Sequence, residues 1–157
     1  MDLILWRHAE AEEAPEGVSR MGSDLERKLT SRGEKQAARM AEWLDRQLPG
    51  STRIMSSPAR RCEQTVLALE RKFKIRAELA PIATPEQLLE LAQWPSSKAP
   101  ILLVGHQPTL GQTVAQLLGF QESDCPVKKG AVWWLRSRER DGQLSTVVVT
   151  VQSPELL

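Results

Sequence analysis

Apolar positions along the chain fall into short runs separated by amphipathic stretches. Leu3-Ile4-Leu5-Trp6 is a continuous apolar run of the length of a buried strand. Residues 9–26 are polar and acidic and contain Pro15 and Gly17, which predicts a long loop. Ala37, Met40, Ala41, Leu44 and Leu48 then recur at helical spacing, and Pro49-Gly50 ends the stripe. Ser31, three residues before Glu34, has the spacing of a capping box at its start. Arg53-Ile54-Met55-Ser56 predicts a second strand. A helix from about Pro58 follows, with Cys62, Val66, Leu69 and Phe73 on one face.

Ile75 to Leu79 predicts a third strand. Thr84-Pro85-Glu86-Gln87 carries an N-cap, a first-turn proline and a capping partner for a short helix through about Ala92. Ile101-Leu102-Leu103-Val104 is a fourth strand. Leu110, Val114, Leu117 and Leu118 mark a helix that ends near Gly119. The tail changes to Ala131–Leu135 and Leu144–Val151, two strand-like runs joined by a turn containing Asp141-Gly142. This alternation predicts an α/β fold: a three-layer α/β/α sandwich whose mainly parallel sheet carries helices on both faces and ends in an antiparallel hairpin. Residues 1–157 are taken as one domain, since there is no internal repeat or low-complexity linker.

Composition narrows the function classes. Apolar residues are 41% and charged residues 26% of 157, an ordinary globular balance. A chain of this size buries roughly 68–70% of its unfolded surface, enough for a core without staples. The formal net charge of +1 lacks the basic excess of a nucleic-acid or membrane-surface binder. Cys62 and Cys125 have neither disulfide-framework nor zinc-site spacing and read as reduced thiols. No apolar run reaches about 20 residues, and the N-terminal run is too short for a signal peptide. A reduced, cytoplasmic protein is expected. The chain has only two histidines, His8 and His106, so no three-histidine metal site can form within it.

Polar residues follow three of the strands directly: Arg7-His8, Ser56-Ser57-Pro58-Ala59-Arg60-Arg61 and Gly105-His106-Gln107-Pro108. Ligands of open α/β sheets bind beyond the carboxyl ends of the strands, so the three segments share one rim. Guanidinium forks match phosphoryl oxygens, and helix N-termini favour anions. An unprotonated imidazole nitrogen is a nucleophile toward phosphorus near neutral pH. A phosphate ligand is therefore expected, with no metal and no cofactor, because no carboxylate cluster suited to Mg²⁺ stands out. Each segment alone also fits a plain role: a hydrogen-bonded histidine, or an arginine pair on a solvated helix face.

Together these segments resemble the histidine phosphatase superfamily, the phosphoglycerate-mutase-like fold. Arg7-His8 resembles its first signature, and Leu29-Thr30-x-x-Gly33 its Leu-Thr-x-x-Gly. Ser57-Pro58-x-x-Arg61-x-x-x-Thr65 and Val104-Gly105-His106 resemble its remaining motifs. The short length, Arg27 before Leu29 and Glu63-Gln64-Thr65 resemble the SixA-type phosphohistidine phosphatases. One departure is Ala9, where that signature has Gly; Ala suffices if the backbone there needs no positive φ.

The resemblance implies that His8 becomes a phosphohistidine intermediate and that Arg7, Arg61 and His106 hold the phosphoryl oxygens. It assigns Arg27 to the mouth of the site, and Ser57 and the Gln107 backbone N–H to the anion. Larger members place a general acid after the third strand. The matching stretch here, Leu79 to Ala83, has no carboxylate. Glu10, Glu86 and Glu12 are the nearest in sequence, and Glu10 and Glu86 are the candidates. A phosphohistidine-bearing protein is the implied partner and phosphate the product, with neither nucleic acid nor membrane. A small-molecule phosphomonoesterase or mutase, and a non-catalytic phosphate-binding module, are the alternatives.

Overall fold

The structure is a computed structural model that describes residues 1–14 and 20–157. Six strands form one sheet in the order β3-β2-β4-β1-β5-β6: β1 Asp2–Arg7, β2 Arg53–Ser56, β3 Lys74–Ile75, β4 Ile101–Gly105, β5 Val132–Arg140 and β6 Gln143–Gln152. β1, β4, β2 and β3 are mutually parallel, and β5 and β6 add antiparallel beside β1. The helices are α1 Arg20–Leu25, α2 Ser31–Gln47, α3 Arg60–Leu67, α4 Pro85–Leu91 and α5 Thr109–Leu118.

Side chains alternate across the strands and so build two cores. Leu3 and Leu5 of β1 join Ile101, Leu103 and Met55 under Leu88 of α4 and Leu110 and Val114 of α5. Ile4 and Trp6 join Ile54, Leu102 and Val104 under Met40 and Leu44 of α2 and Cys62 and Val66 of α3. Helices α2 and α3 thus cover one face and α4 and α5 the other, which is the expected three-layer, mainly parallel architecture with a terminal hairpin. The hairpin turns at Asp141 (φ 53°) and Gly142 (φ 77°), where two positive φ angles suit the strand twist.

Several boundaries differ from the sequence expectation. The segment expected as loop over 9–26 contains α1, and Ala11 pairs with Leu29 in an isolated bridge. Pro15, Glu16 and Gly17 lie outside the described residues. Thr30, not Ser31, caps α2: its hydroxyl accepts from the Gly33 N–H at 3.0 Å. Helix α3 begins at Arg60 rather than Pro58, because Ser57 Oγ accepts the Ala59 N–H at 3.1 Å and turns the chain first. It ends at Leu67, although Leu69 and Phe73 still pack into the same core. The expected strand over 75–79 is two residues, Lys74–Ile75, followed by a 3₁₀ turn at Ala77–Leu79. Thr84 and Gln87 do form a capping box on α4.

Candidate active site

The sheet register places the two histidines. Arg7 pairs with Gly105 on the adjacent parallel strand, so His8 and His106 are the next residues on neighbouring strands. The His8 N–H continues the ladder to the Gly105 carbonyl at 3.1 Å. The ring centroids lie 5.3 Å apart, close to the strand spacing. Ser56 pairs with Val104, so Ser57 emerges on the far side of His106. The chain reaches β2 and β3 before β4 returns between β1 and β2, and the site lies at that switch in direction.

Each ring has a defined tautomer. His8 Nδ1 is 2.7 Å from the Ala9 carbonyl, which only accepts, so Nδ1 carries the hydrogen and Nε2 keeps its lone pair. His106 Nδ1 is 3.2 Å from Arg61 Nη2, which only donates. Its hydrogen therefore sits on Nε2, 2.7 Å from Ser57 Oγ. Burial, with Arg61, Arg7 and Arg27 nearby, pushes the pKa of His8 down to about 3. Burial, His8 and the same arginines push that of His106 down to about 2. Both rings are neutral at neutral pH. Cys62 Sγ lies 3.4 Å from His106 Nε2, and burial raises its pKa to about 12, so it is an inert thiol.

Both site arginines are tethered by one end. Arg7 Nη1 donates to the Val127 carbonyl at 2.7 Å. Arg61 donates from Nη1 to the Asp24 carbonyl at 2.7 Å and from Nη2 to Asp24 Oδ2 at 3.2 Å. The Nε atoms of Arg7 and Arg61 are buried without a hydrogen-bond partner among the described residues. Leaving such donors unpaired costs about 1–3 kcal/mol each, and more for a charged group, unless an acceptor arrives. Burial and the neighbouring Arg61 lower the Arg7 pKa, as expected for like charges held together. Two guanidiniums with buried, unpaired Nε–H groups beside a neutral imidazole with a free lone pair can receive a small oxyanion.

The other sequence candidates are placed as follows. Arg27 reaches the site through Asp24, donating from Nε to Oδ1 at 3.1 Å, and its Nη1 meets the Glu12 carbonyl at 3.0 Å. Ser57 Oγ lies 2.7 Å from His106 Nε2 and accepts the Ala59 N–H, contacts that orient the His106 ring. The Gln107 side chain caps α5 through the Gly111 N–H at 2.6 Å and holds the Cys125 carbonyl at 2.9 Å. Glu10 Oε2 accepts from the Thr30 hydroxyl at 2.8 Å and braces the start of α2. Glu86 is exposed in the first turn of α4, with no hydrogen bond to the histidines among the described residues. Ala9 is not among the residues with positive φ, so alanine fits there.

Three contributors were not singled out from sequence. Asp24 joins Arg61 to Arg27. Thr65 accepts the Ala9 N–H at 3.1 Å and donates to the Arg61 carbonyl at 2.7 Å, tying the His8 turn to α3. Gln64 Oε1 accepts the Leu29 N–H at 2.7 Å. Thr65 and Gln64 lay inside a quoted motif, which was the available signal; Asp24 had none. Among the described residues no group of three or more His, Cys, Asp or Glu could hold a metal ion.

Comparison with known proteins identifies the family and the fold. The family model of the histidine phosphatase superfamily, branch 1, matches residues 3–92. A curated relative, the phosphohistidine phosphatase SixA homolog of Haemophilus influenzae, is 28% identical, with 98% of this chain and 97% of that protein covered. A crystal structure assigned as the phosphohistidine phosphatase SixA of Agrobacterium tumefaciens superposes with TM-score 0.78 at 25% identity, over 98% of this chain and 97% of the other. The protein histidine phosphatase SixA complexed with tungstate superposes with TM-score 0.77 at 23% identity, over 99% of both chains.

Proposed function

The chain belongs to the histidine phosphatase superfamily, branch 1, and from that premise we propose that it dephosphorylates phosphohistidine on a protein. The observation that carries this reading is the neutral His8, anchored by Nδ1–H to Ala9 and flanked by two arginines with unpaired buried N–H groups. His8 Nε2 attacks phosphorus, the P–N bond to the substrate imidazole breaks, and that imidazole departs with a solvent proton. Water then attacks the phosphoryl group on His8, the P–Nε2 bond breaks, and phosphate leaves neutral His8 behind. Arg7, Arg61 and His106 hold the phosphoryl oxygens and balance charge that develops on them.

The leaving group separates phosphohistidine from a phosphate ester. An alkoxide needs a proton in the transition state, whereas the labile P–N bond of phosphohistidine releases imidazole with little assistance. Among the described residues, two carboxylates near this site are already engaged: Glu10 by Thr30, and Asp24 by Arg61 and Arg27. The names of the SixA relatives point the same way. Residues 80–100 leave little chain for a lid, which suits a phosphoryl group presented on a protein surface.

Rates on a phosphohistidine protein, an aryl phosphate and phosphoglycerates, all with EDTA present, test the proposal. Fastest turnover of phosphohistidine is expected. Rapid turnover of alkyl phosphates with none of phosphohistidine would overturn it.

A further inference from the structure

His106 in the ligand-free site faces a donor, not an acceptor. Its Nδ1 accepts from Arg61 Nη2 at 3.2 Å, and its hydrogen is committed on the opposite side to Ser57 Oγ at 2.7 Å. While Arg61 donates to Nδ1, the other neutral tautomer is excluded, because it would oppose Nδ1–H to a guanidinium N–H. Ser57 Oγ already takes the Ala59 N–H at 3.1 Å, so the serine is held where it receives the Nε2 hydrogen. An unprotonated phosphoryl oxygen only accepts hydrogen bonds. It therefore meets a lone pair at His106 Nδ1 unless that nitrogen gains a hydrogen, either from solvent or by a tautomer shift in which Ser57 Oγ–H turns to donate to Nε2.

We propose that His106 is charged by its ligand: it takes one proton from solvent onto Nδ1 as an oxyanion enters between His8 and His106, and returns it as the anion leaves. This rests on the reading that the phosphoryl group binds between the two rings. The bond from Arg61 to Nδ1 is exchanged for two, one from Nη2 and one from Nδ1–H, to the incoming oxygen. The surroundings fit a site that carries this charge only when loaded. Among the described residues, Arg7 on β1 and His8 just after it, Arg61 and Cys62 on α3, and Arg27 through Asp24 are the titratable or charged groups facing the ring. Asp24 is the carboxylate among them, and it is already shared by two guanidiniums. Burial and these cations keep the empty His106 neutral. A dianion brings the opposite charge and reverses the balance.

The probe is tungstate, a dianion at neutral pH. Its binding is followed by calorimetry near neutral pH in two buffers of different ionisation enthalpy. Uptake of about one proton per tungstate is expected, with affinity falling about tenfold per unit rise in pH. His8→Ala keeps the uptake, and His106→Gln, which retains an amide donor, binds without it. The chain has only two histidines, so the His8→Ala protein gives the ring ¹⁵N signals of His106 alone. These are expected to change from a single protonated nitrogen, Nε2, to two on tungstate addition. Binding without proton uptake, uptake unchanged in His106→Gln, or a ring that stays neutral when loaded overturns the proposal. Failure of the native protein to bind either tungstate or phosphate overturns the phosphatase reading itself, and this inference with it.

Discussion

The proposed nucleophile, His8, is oriented by a neighbour's carbonyl. With Nδ1–H tied to Ala9 O, the lone pair of His8 can only be on Nε2, and burial among cations keeps it there. The same burial sets an acid limit on the fold. Both histidines titrate far lower folded than unfolded, where about 6.5 applies, so below that value the unfolded chain binds more protons. Stability is therefore complete above about pH 6.5 and is lost as pH falls from there toward about 3 and 2. Going from pH 7 to 5, the expected loss is about 1–2 kcal/mol per histidine in chemical denaturation of the anion-free protein. His106→Gln is expected to flatten that acid limb. Arg61 bonds Asp24, His106 and, through its backbone, Thr65. Arg61→Ala is expected to lower kcat/KM about 10²–10³-fold with the circular dichroism spectrum retained, and Arg61→Lys recovers little, since an ammonium cannot span the same partners.

At the scale of elements, the turn from β1 into the site is braced against the first turn of α2. Thr30 bonds the Gly33 N–H and the Glu10 carboxylate, and its own N–H bonds the Glu10 carbonyl. A Cβ on Gly33 would run into that carbonyl, so Gly33→Ala is expected to cost about 2 kcal/mol or more and lower activity together with stability. Gly142→Ala at the remote hairpin turn (φ 77°) costs about 1 kcal/mol and leaves kcat unchanged. Thermal melts and steady-state rates separate the two. This brace was half legible in sequence. The Leu29-Thr30-x-x-Gly33 spacing was visible, but Ser31–Glu34 offered an equally good cap, and only the approach of Glu10 decides for Thr30. Helix α1 was hidden because its six residues hold a single apolar pair, Met21 and Leu25, too short a pattern to show a period. The strand run over 75–79 broke after two residues, since pairing with β2 ends at Ile75 and Arg76 turns into the 3₁₀ segment.

Across the whole molecule, one sheet serves both cores and carries the site on three adjacent parallel strands. β1, β4 and β2 present His8, His106 and Ser57 side by side, an arrangement legible in sequence because each follows an apolar run. The long-range partners were not legible. Asp24 meets Arg61 across 37 residues and Thr65 meets Ala9 across 56, and no local pattern encodes either contact. Because Ile4 and Leu5 alternate between the two cores on one strand, residues 1–157 are expected to unfold as one cooperative unit, with coincident fluorescence and circular dichroism transitions. Among the described residues no helix is long and apolar enough to cross a membrane. The near-neutral formal charge of +1 conceals the local concentration of Arg7, Arg27 and Arg61 at this one rim. The most direct measurement is rapid-quench transfer from a ³²P-phosphohistidine protein in the presence of EDTA. Label is expected to pass through His8 to inorganic phosphate, with none trapped in a folded His8→Ala protein. Release of phosphate at the native rate by His8→Ala, or label trapped on any other residue, would contradict it.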